Sequence, residues 1–149
     1  MNGVLWMIAG PSLVAYAAPT TVLSNATAPA PVTIVITHLP SPTSAIKLNF
    51  YNSSGTFLQA GQAALHQTVL PSGQRQAQVQ VALPTGDWAV ALSQDLNNNG
   101  KMDRNFLGIP SEPYAFSNNV RPHFSAPKFD ECKFQVTGQA ETITISFPK

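Results

Sequence analysis

The feature that most constrains this chain is a period-two alternation of apolar and polar residues, which recurs between residues 32 and 147. Neighbouring side chains of a β-strand point to opposite faces, so alternation places one set in a core and the other in water. The apolar members are Val32, Ile34 and Ile36; Ile46, Leu48 and Phe50; Ala77, Val79, Val81 and Leu83; Trp88, Val90 and Leu92; Cys132, Phe134 and Val136; and Ile143, Ile145 and Phe147. About seven such strands with turns between them predict an all-β fold, an antiparallel β-sandwich.

Two segments depart from the alternation. Residues 56–72 fit a short helix about as well as an irregular strand, so both alternatives stay open. Residues 105–128 contain four prolines and several aromatic residues without a sustained period. A loop of this length in a compact domain is usually functional or poorly ordered, and its aromatic residues favour order. We therefore expect one long ordered loop on the sandwich.

Length and composition limit the class of protein. A chain of 149 residues has room for one domain with one core. Charged residues make up 10% of the sequence and the formal net charge is +1, so no basic surface is available to neutralise the phosphates of a nucleic acid. The single cysteine, Cys132, cannot form an internal disulfide, so the core depends on packing.

The first 31 residues differ from the rest. Residues 1–17 are mostly apolar and end in Ala15-Tyr16-Ala17, a pattern that signal peptidase recognises, so we expect a signal peptide and a periplasmic or secreted protein. A membrane anchor is the alternative, but about 16 apolar residues fall short of the roughly 20 that a spanning helix needs, so we expect no transmembrane segment in the mature chain. Residues 18–31 are rich in Ala, Pro and Thr and predict a linker before a domain at residues 32–149.

Oxygen-bearing side chains occupy alternate positions of residues 95–103, a segment that we call the Asp95 loop. This is the spacing by which a loop wraps oxygens around calcium, and Gly100 at the sixth position permits the sharp turn. The candidate metal ligands are the side chains of Asp95, Asn97, Asn99 and Asp103 and the carbonyl of Lys101. An EF-hand has a bidentate glutamate at the twelfth position, where this chain has Phe106, so a completing carboxylate would come from elsewhere.

With this incomplete ligand set, we expect calcium to bind weakly, with a dissociation constant of about 10⁻⁴ to 10⁻³ M. The alternative is an asparagine-rich turn whose side chains bond their own backbone, with Asn99 and Gly100 at the centre of a primed hairpin turn. The pattern alone does not distinguish the calcium loop from the asparagine-rich turn.

The loop that follows is a candidate recognition surface, because aromatic and aliphatic side chains on an ordered loop are typical of interface centres. The candidate binding residues are Asn105, Phe106, Leu107, Tyr114, Phe116, Asn118 and Asn119. In the alternative, the aromatic residues fold back to cap the sandwich, and the asparagines satisfy buried backbone groups of the loop.

Residues suited to catalysis are few. His38, His66 and His123 lie in three separate segments and form no metal-binding motif, so we expect solvated loop histidines. A metal-dependent hydrolase would require the fold to gather Asp95, Asp103 and His123 around one ion.

The segment from Gly86 to Phe147 resembles a bacterial family of small exported proteins of unknown function, DUF2141. The matching residues are Gly86-Asp87-Trp88-Ala89-Val90, the Asp95 loop, Asn105-Phe106-Leu107-Gly108-Ile109-Pro110, Tyr114-Ala115-Phe116-Ser117-Asn118-Asn119 and Pro127-Lys128-Phe129-Asp130. The family usually has a histidine before the first loop aspartate, where this chain has Gln94. The resemblance implies an immunoglobulin-like or transthyretin-like sandwich and export, and it assigns no activity.

Together these observations predict a binding or structural module of the bacterial envelope, with calcium as a candidate cofactor. The expected partner is a protein, a glycan or another envelope component, because an elaborated loop on a plain scaffold is where binding residues tend to lie. A small periplasmic metal-dependent hydrolase is the alternative function.

Overall fold

A computed structural model describes residues 30–108 and 110–149 of the chain. The predicted signal peptide at residues 1–17 and residues 18–29 of the predicted linker lie outside the described residues. The elements are β1 (Ala30–Thr37), β2 (Ile46–Tyr51), β3 (Leu65–Val69), β4 (Gln76–Leu83), β5 (Gly86–Gln94), β6 (Tyr114–Phe116), a 3₁₀ turn (Ser117–Asn119), the short helix α1 (Phe129–Cys132), β7 (Phe134–Val136) and β8 (Glu141–Ser146). The all-β prediction is confirmed. Across these residues no helix is long and apolar enough to cross a membrane.

The strands form two sheets. One has the order β4-β1-β8, and the other has the order β3-β2-β5-β6, with β7 also pairing with β5. β1 and β8 run parallel, with Ile34 opposite Ile143, whereas the other strand pairs are antiparallel. The prediction of a wholly antiparallel arrangement is therefore wrong for this pair. A parallel pair needs a long connection, and here the rest of the domain provides it.

Side chains from both sheets form one buried cluster, which is the core. The alternation predicts most of its members, since Ile34 of β1, Phe50 of β2 and Ile145 of β8 are all fully buried, but it misses Leu39 and Ala115. The glutamines of β4 alternate with apolar residues and face water, as the pattern predicts. Apolar burial of this kind is the main contribution to the stability of the fold.

A second, smaller cluster lies on the opposite face of β5. Ala89 and Ala91 point away from the main core and pack with Tyr51, Phe57, Phe116, Phe129 and Cys132. The ring of Phe57 makes edge-to-face contacts with Tyr51 at a centroid distance of 5.3 Å and with Phe129 at 5.8 Å. β5 is therefore buried on both faces, and its small alanines leave room for the aromatic rings above them.

Three segments differ from or refine the sequence predictions. Cys132 ends the helix α1 and is not in a strand, although it is buried as predicted. The helix begins after Lys128, whose N–H donates to Glu131 Oε2 at 2.6 Å, and the acidic residues Asp130 and Glu131 occupy its first turn. This is the favourable charge for a helix N-terminus. Residues 56–72 form turns followed by β3, and the long loop contains the short strand β6.

Candidate functional site

The Asp95 loop begins where β5 ends, and the carboxylate of Asp95 organises it. Asp95 is 2% exposed, and its backbone N–H donates to Ala45 O at 3.0 Å. Its Oδ1 accepts from the N–H of Asn99 at 3.1 Å, and its Oδ2 accepts from the N–H of Gly100 at 2.8 Å. Gly100 has a φ of 79°, a conformation that glycine adopts without strain. The loop thus closes around its first aspartate.

A lysine from another strand also contacts this carboxylate. Lys47, in β2, places its Nζ 3.0 Å from Asp95 Oδ2. That hydrogen bond is the main reason why the pKa of Asp95 lies below its ordinary value; burial opposes it, and the N–H groups of Gly100 and Asn99 add to it. Asp95 is therefore a carboxylate at neutral pH, and Lys47 is its cationic partner.

The other predicted ligands line the same loop. The side-chain amide of Asn99 donates to both oxygens of Asp103 at 2.9 Å, and the amide of Asn97 also donates to Asp103. Asn97 Oδ1 accepts from the N–H of Asn99 at 3.2 Å, and Asn99 Oδ1 accepts from the N–H of Lys101 at 2.8 Å. All five predicted residues thus belong to one connected loop.

These side chain to backbone bonds are those expected for the asparagine-rich turn. The alternative of a primed hairpin turn with Asn99 and Gly100 at its centre is wrong, because both primed types need a positive φ at the first central residue, and Asn99 does not have one. Asn98 has a positive φ of 56° instead. The loop is an aspartate-centred turn and not a tight hairpin.

The structure adds one residue that the sequence analysis did not select, Glu112. It is 6% exposed, and neither side-chain oxygen has a hydrogen-bond partner within the described part of the chain. Burial is the main cause that raises its pKa above the ordinary value, and the charges of Asp95 and Asp103 raise it further. The N–H groups of Leu96 and Asp103 face it and lower the pKa, but neither meets the distance and angle of a hydrogen bond.

Glu112 is held against the loop by its two neighbours. The N–H of Ser111 donates to Asp103 O at 2.9 Å, and the N–H of Gln94 donates to Pro113 O at 3.0 Å. Three of the seven acidic residues of the chain therefore gather at this loop. The sequence contained a signal, because the calcium pattern of the Asp95 loop has no carboxylate at its twelfth position, where the chain has Phe106.

Gln94, the residue before Asp95, joins the start of the Asp95 loop to the β1–β2 connection. It is fully buried, its Oε1 accepts from the N–H of Ser41 at 2.9 Å, and its Nε2 donates to Ser41 O at 2.7 Å and to Ser44 O at 2.9 Å. This side chain satisfies backbone groups of the β1–β2 connection, as buried polar atoms require. The residue that precedes Asp95 therefore has a structural role here.

The segment at residues 104–110, which we call the Phe106 turn, carries the first predicted binding residues. Arg104 pairs with Pro110 through a β-bridge, and its guanidinium donates to Gly108 O at 2.9 Å. Asn105 Oδ1 accepts from the N–H of Leu107 at 3.0 Å. Phe106 and Leu107 are 95% and 67% exposed at the tip of this turn.

The remaining predicted binding residues lie in the body of the domain. Phe116 is buried in the second cluster, and Tyr114 is half-buried beside it at a ring distance of 5.7 Å. Asn118 donates to the carbonyls of Glu131 and Lys133, at 3.1 and 2.8 Å. Asn119 accepts from Ser146 N–H at 2.7 Å and donates to Thr144 O at 3.2 Å, so it covers part of the edge of β8. These four positions match the alternative in which the loop caps the fold.

The residues considered for catalysis are dispersed. His38 follows β1, His66 lies on β3 beside Asn49, and exposed His123 lies next to Phe124. Among residues 30–108 and 110–149, no group of three or more His, Cys, Asp and Glu side chains is arranged to hold a metal ion. The convergence of Asp95, Asp103 and His123 that a hydrolase requires is thus not found there.

Comparison with known proteins supports one assignment. No curated protein and no solved structure matches the chain at a significant level. The family model for an uncharacterized protein conserved in bacteria, DUF2141, matches residues 34–144, a span that includes most of both sheets, the Asp95 loop and Glu112. The chain therefore belongs to the DUF2141 family.

Proposed function

We propose that the chain is an exported, non-enzymatic module of the bacterial envelope. Its fold is a β-sandwich of immunoglobulin-like or transthyretin-like type, and the surface of its long loop binds a protein, a glycan or another envelope component. The Asp95 loop binds calcium weakly and tightens that surface. The shared core of the two sheets supports the sandwich, and the apolar residues 1–17 with their small-x-small end support export.

The observation that carries the proposal is the exposure of Phe106 and Leu107, at 95% and 67%, on a turn whose ends are fixed. Large apolar side chains held in water by an ordered backbone favour binding, because little conformational entropy is lost when a partner covers them. The Phe106 turn follows the Asp95 loop directly, so an ion that orders one also positions the other. No observation in the described part of the chain favours the hydrolase alternative.

The test is saturable binding of the labelled protein to an envelope fraction of a bacterium that encodes this chain. The double variant Phe106→Ala with Leu107→Ala should lose most of the bound signal and keep the circular dichroism spectrum of the wild type. The matched control is Leu70→Ala, because Leu70 is 71% exposed on the β3–β4 connection. The proposal fails if binding does not saturate, or if the double variant binds as well as Leu70→Ala.

A further inference from the structure

The calcium pattern of the Asp95 loop lacks one ligand. A loop of this kind has a bidentate carboxylate at its twelfth position, where the chain has Phe106, and Phe106 is 95% exposed and carries no oxygen in its side chain. The side chains of Asp95, Asn97, Asn99 and Asp103 alone leave the shell of six to eight oxygens incomplete.

Glu112 has the type of side chain that the pattern lacks, and this carboxylate is buried. Its residue is 6% exposed, and both carboxylate oxygens lack a hydrogen-bond partner within the described residues. Buried polar groups are normally paired, and a buried carboxylate that is not paired is costly. A cation bound by both oxygens would supply the partner that the nearby N–H groups of Leu96 and Asp103 do not.

The backbone brings Glu112 to the place where the missing ligand is needed. Ser111 is bonded to the carbonyl of Asp103, the ninth residue of the loop, at 2.9 Å. Pro113 is bonded to the N–H of Gln94, which immediately precedes the first residue of the loop, at 3.0 Å. Glu112 therefore lies between two main-chain hydrogen bonds that join its segment to both ends of the Asp95 loop.

The charges converge as well. The Asp95 loop carries the carboxylates of Asp95 and Asp103, and the hydrogen bond from the N–H of Ser111 to Asp103 O holds Glu112 against the same loop. One cation, Lys47, is bonded to Asp95 in the described structure. A divalent ion between the carboxylates would replace repulsion by attraction, and oxygen donors are the ligands that hard cations select.

We propose that Glu112 is the completing carboxylate of a calcium site formed with Asp95 and Asp103. The proposal rests on the calcium binding of the Asp95 loop proposed above, and it names the residue that completes that site. Calcium is favoured over magnesium because the donors come from an irregular loop and a separate segment, which suits a large ion with irregular coordination.

Binding requires a local rearrangement, because within residues 30–108 and 110–149 these carboxylates are not already arranged around a metal ion. The amides of Asn97 and Asn99 donate their N–H groups to Asp103 in the described structure, and rotation of each amide by half a turn presents its oxygen to the ion instead. Lys47 must also yield Asp95 Oδ2 or share it with the ion. Both changes have an energetic cost, in agreement with weak affinity.

The experiment is a calorimetric titration of the full-length protein with calcium, with the melting temperature measured at each concentration. The wild type should bind one ion with a dissociation constant of about 10⁻⁴ to 10⁻³ M and melt at a higher temperature when loaded. Glu112→Gln keeps the shape and removes the charge, so it should bind calcium at least about tenfold more weakly. It should also melt at a higher temperature than the wild type without calcium, because a buried charge is gone.

Two further variants keep the test decisive. Asp130→Asn makes the same change of charge at an exposed residue of α1, and it should bind calcium as the wild type does. Glu112→Asp keeps the charge on a shorter side chain and should give intermediate affinity, which serves as the measurement if Glu112→Gln fails to fold.

The outcomes separate the two proposals. If the wild type shows neither heat nor a change in melting temperature, calcium binding itself fails. If the wild type binds and Glu112→Gln binds equally well, only the role of Glu112 fails. If Asp130→Asn weakens calcium binding as much as Glu112→Gln does, net charge and not the position of Glu112 sets the affinity. If the wild type binds magnesium as tightly as calcium, the assignment of the site to calcium is overturned.

Discussion

Lys47 Nζ lies 3.0 Å from Asp95 Oδ2, so a lysine near the start of β2 contacts the residue that organises the loop after β5. The side chains of Lys47 and Asp95 are 27% and 3% exposed. The ion pair fixes the Asp95 loop to the sheet, and it also places a positive charge on an oxygen that a metal ion would use. Lys47 therefore stabilises the Asp95 loop, and in the proposed calcium site it would compete with the ion for Asp95 Oδ2.

The first prediction follows from that competition. Lys47→Met should raise the affinity for calcium by roughly two- to fivefold, the range expected for a partly exposed ion pair. It should also lower the melting temperature of the calcium-free protein, because Asp95 loses a partner. Calorimetric titration and thermal melting measure the two effects.

The control for this prediction is Lys101→Met. Lys101 is exposed in the same loop and is predicted to offer only its carbonyl, so the variant changes the net charge equally without freeing Asp95. An equal gain in affinity in both variants would show that general electrostatics, and not competition at Asp95 Oδ2, sets the affinity.

The second prediction compares two phenylalanines that are close in sequence. Phe129 is 8% exposed and packs against Phe57, whereas Phe124 is fully exposed. Phe129→Ala should lower the free energy of unfolding by about 3 kcal/mol or more, because it opens a cavity in the second cluster. Phe124→Ala should change it by less than about 0.5 kcal/mol. Urea denaturation measures both, and equal effects would contradict the assignment of the cluster as a core.

The third prediction concerns the hydroxyl of Ser117, which joins three segments. Ser117 Oγ accepts from the N–H of Val90 at 2.8 Å and donates to Cys132 O at 2.6 Å, and the residue is fully buried. Ser117→Ala should lower the free energy of unfolding by about 1–3 kcal/mol, because two buried backbone groups lose their partner. Exposed Ser125→Ala is the matched control in the same denaturation experiment, and a loss as small as in that control would contradict this role.

The fourth prediction is that Cys132 is unreactive in the native protein. Burial raises the pKa of its thiol to about 11, and the charge of Glu131 adds to the shift. The thiol is therefore protonated at pH 8, and an aromatic disulfide reagent should label it only after unfolding. Rapid labelling of the native protein at pH 8 would show that the helix α1 opens readily.

The same shift has a consequence for stability at alkaline pH. The unfolded thiol ionises near its ordinary pKa of 9.0, while the folded thiol stays protonated up to about 11. Between these values the unfolded state binds fewer protons, so stability falls as the pH rises. Cys132→Ala should remove this part of the pH dependence in melting experiments between pH 8 and about 11.

The strands were predictable because their information is local. β2 begins at Ile46 and ends at Tyr51, as the alternation indicates, since one face of that strand meets the core. Cys132 fits the same alternation, yet it ends a helix, because Asp130 and Glu131 favour a helix start and a turn of four residues is too short to show a period. The strand Tyr114–Phe116 is also too short to be recognised from its pattern.

The structure of the Asp95 loop was predictable in part for a similar reason. The spacing of Asp95, Asn99 and Asp103 is local, and the structure brings these residues into one bonded loop. The contacts of Lys47 and Glu112 with that loop depend on how β2 and the segment before β6 pair with β5, so no short sequence window contains them. Strand pairing between distant segments, and not residue spacing, selects those two residues.

The parallel pairing of β1 with β8 affects how the molecule folds. Val32 pairs with Glu141, so the central strand of the three-stranded sheet receives its second neighbour from almost the far end of the domain. Closing so large a chain segment is entropically slow, and contacts of long sequence separation are typical of slow folders. In a nascent polypeptide that lacks β8, one side of β1 has no hydrogen-bonding partner. The three-stranded sheet can therefore form completely only after β8 has been synthesised.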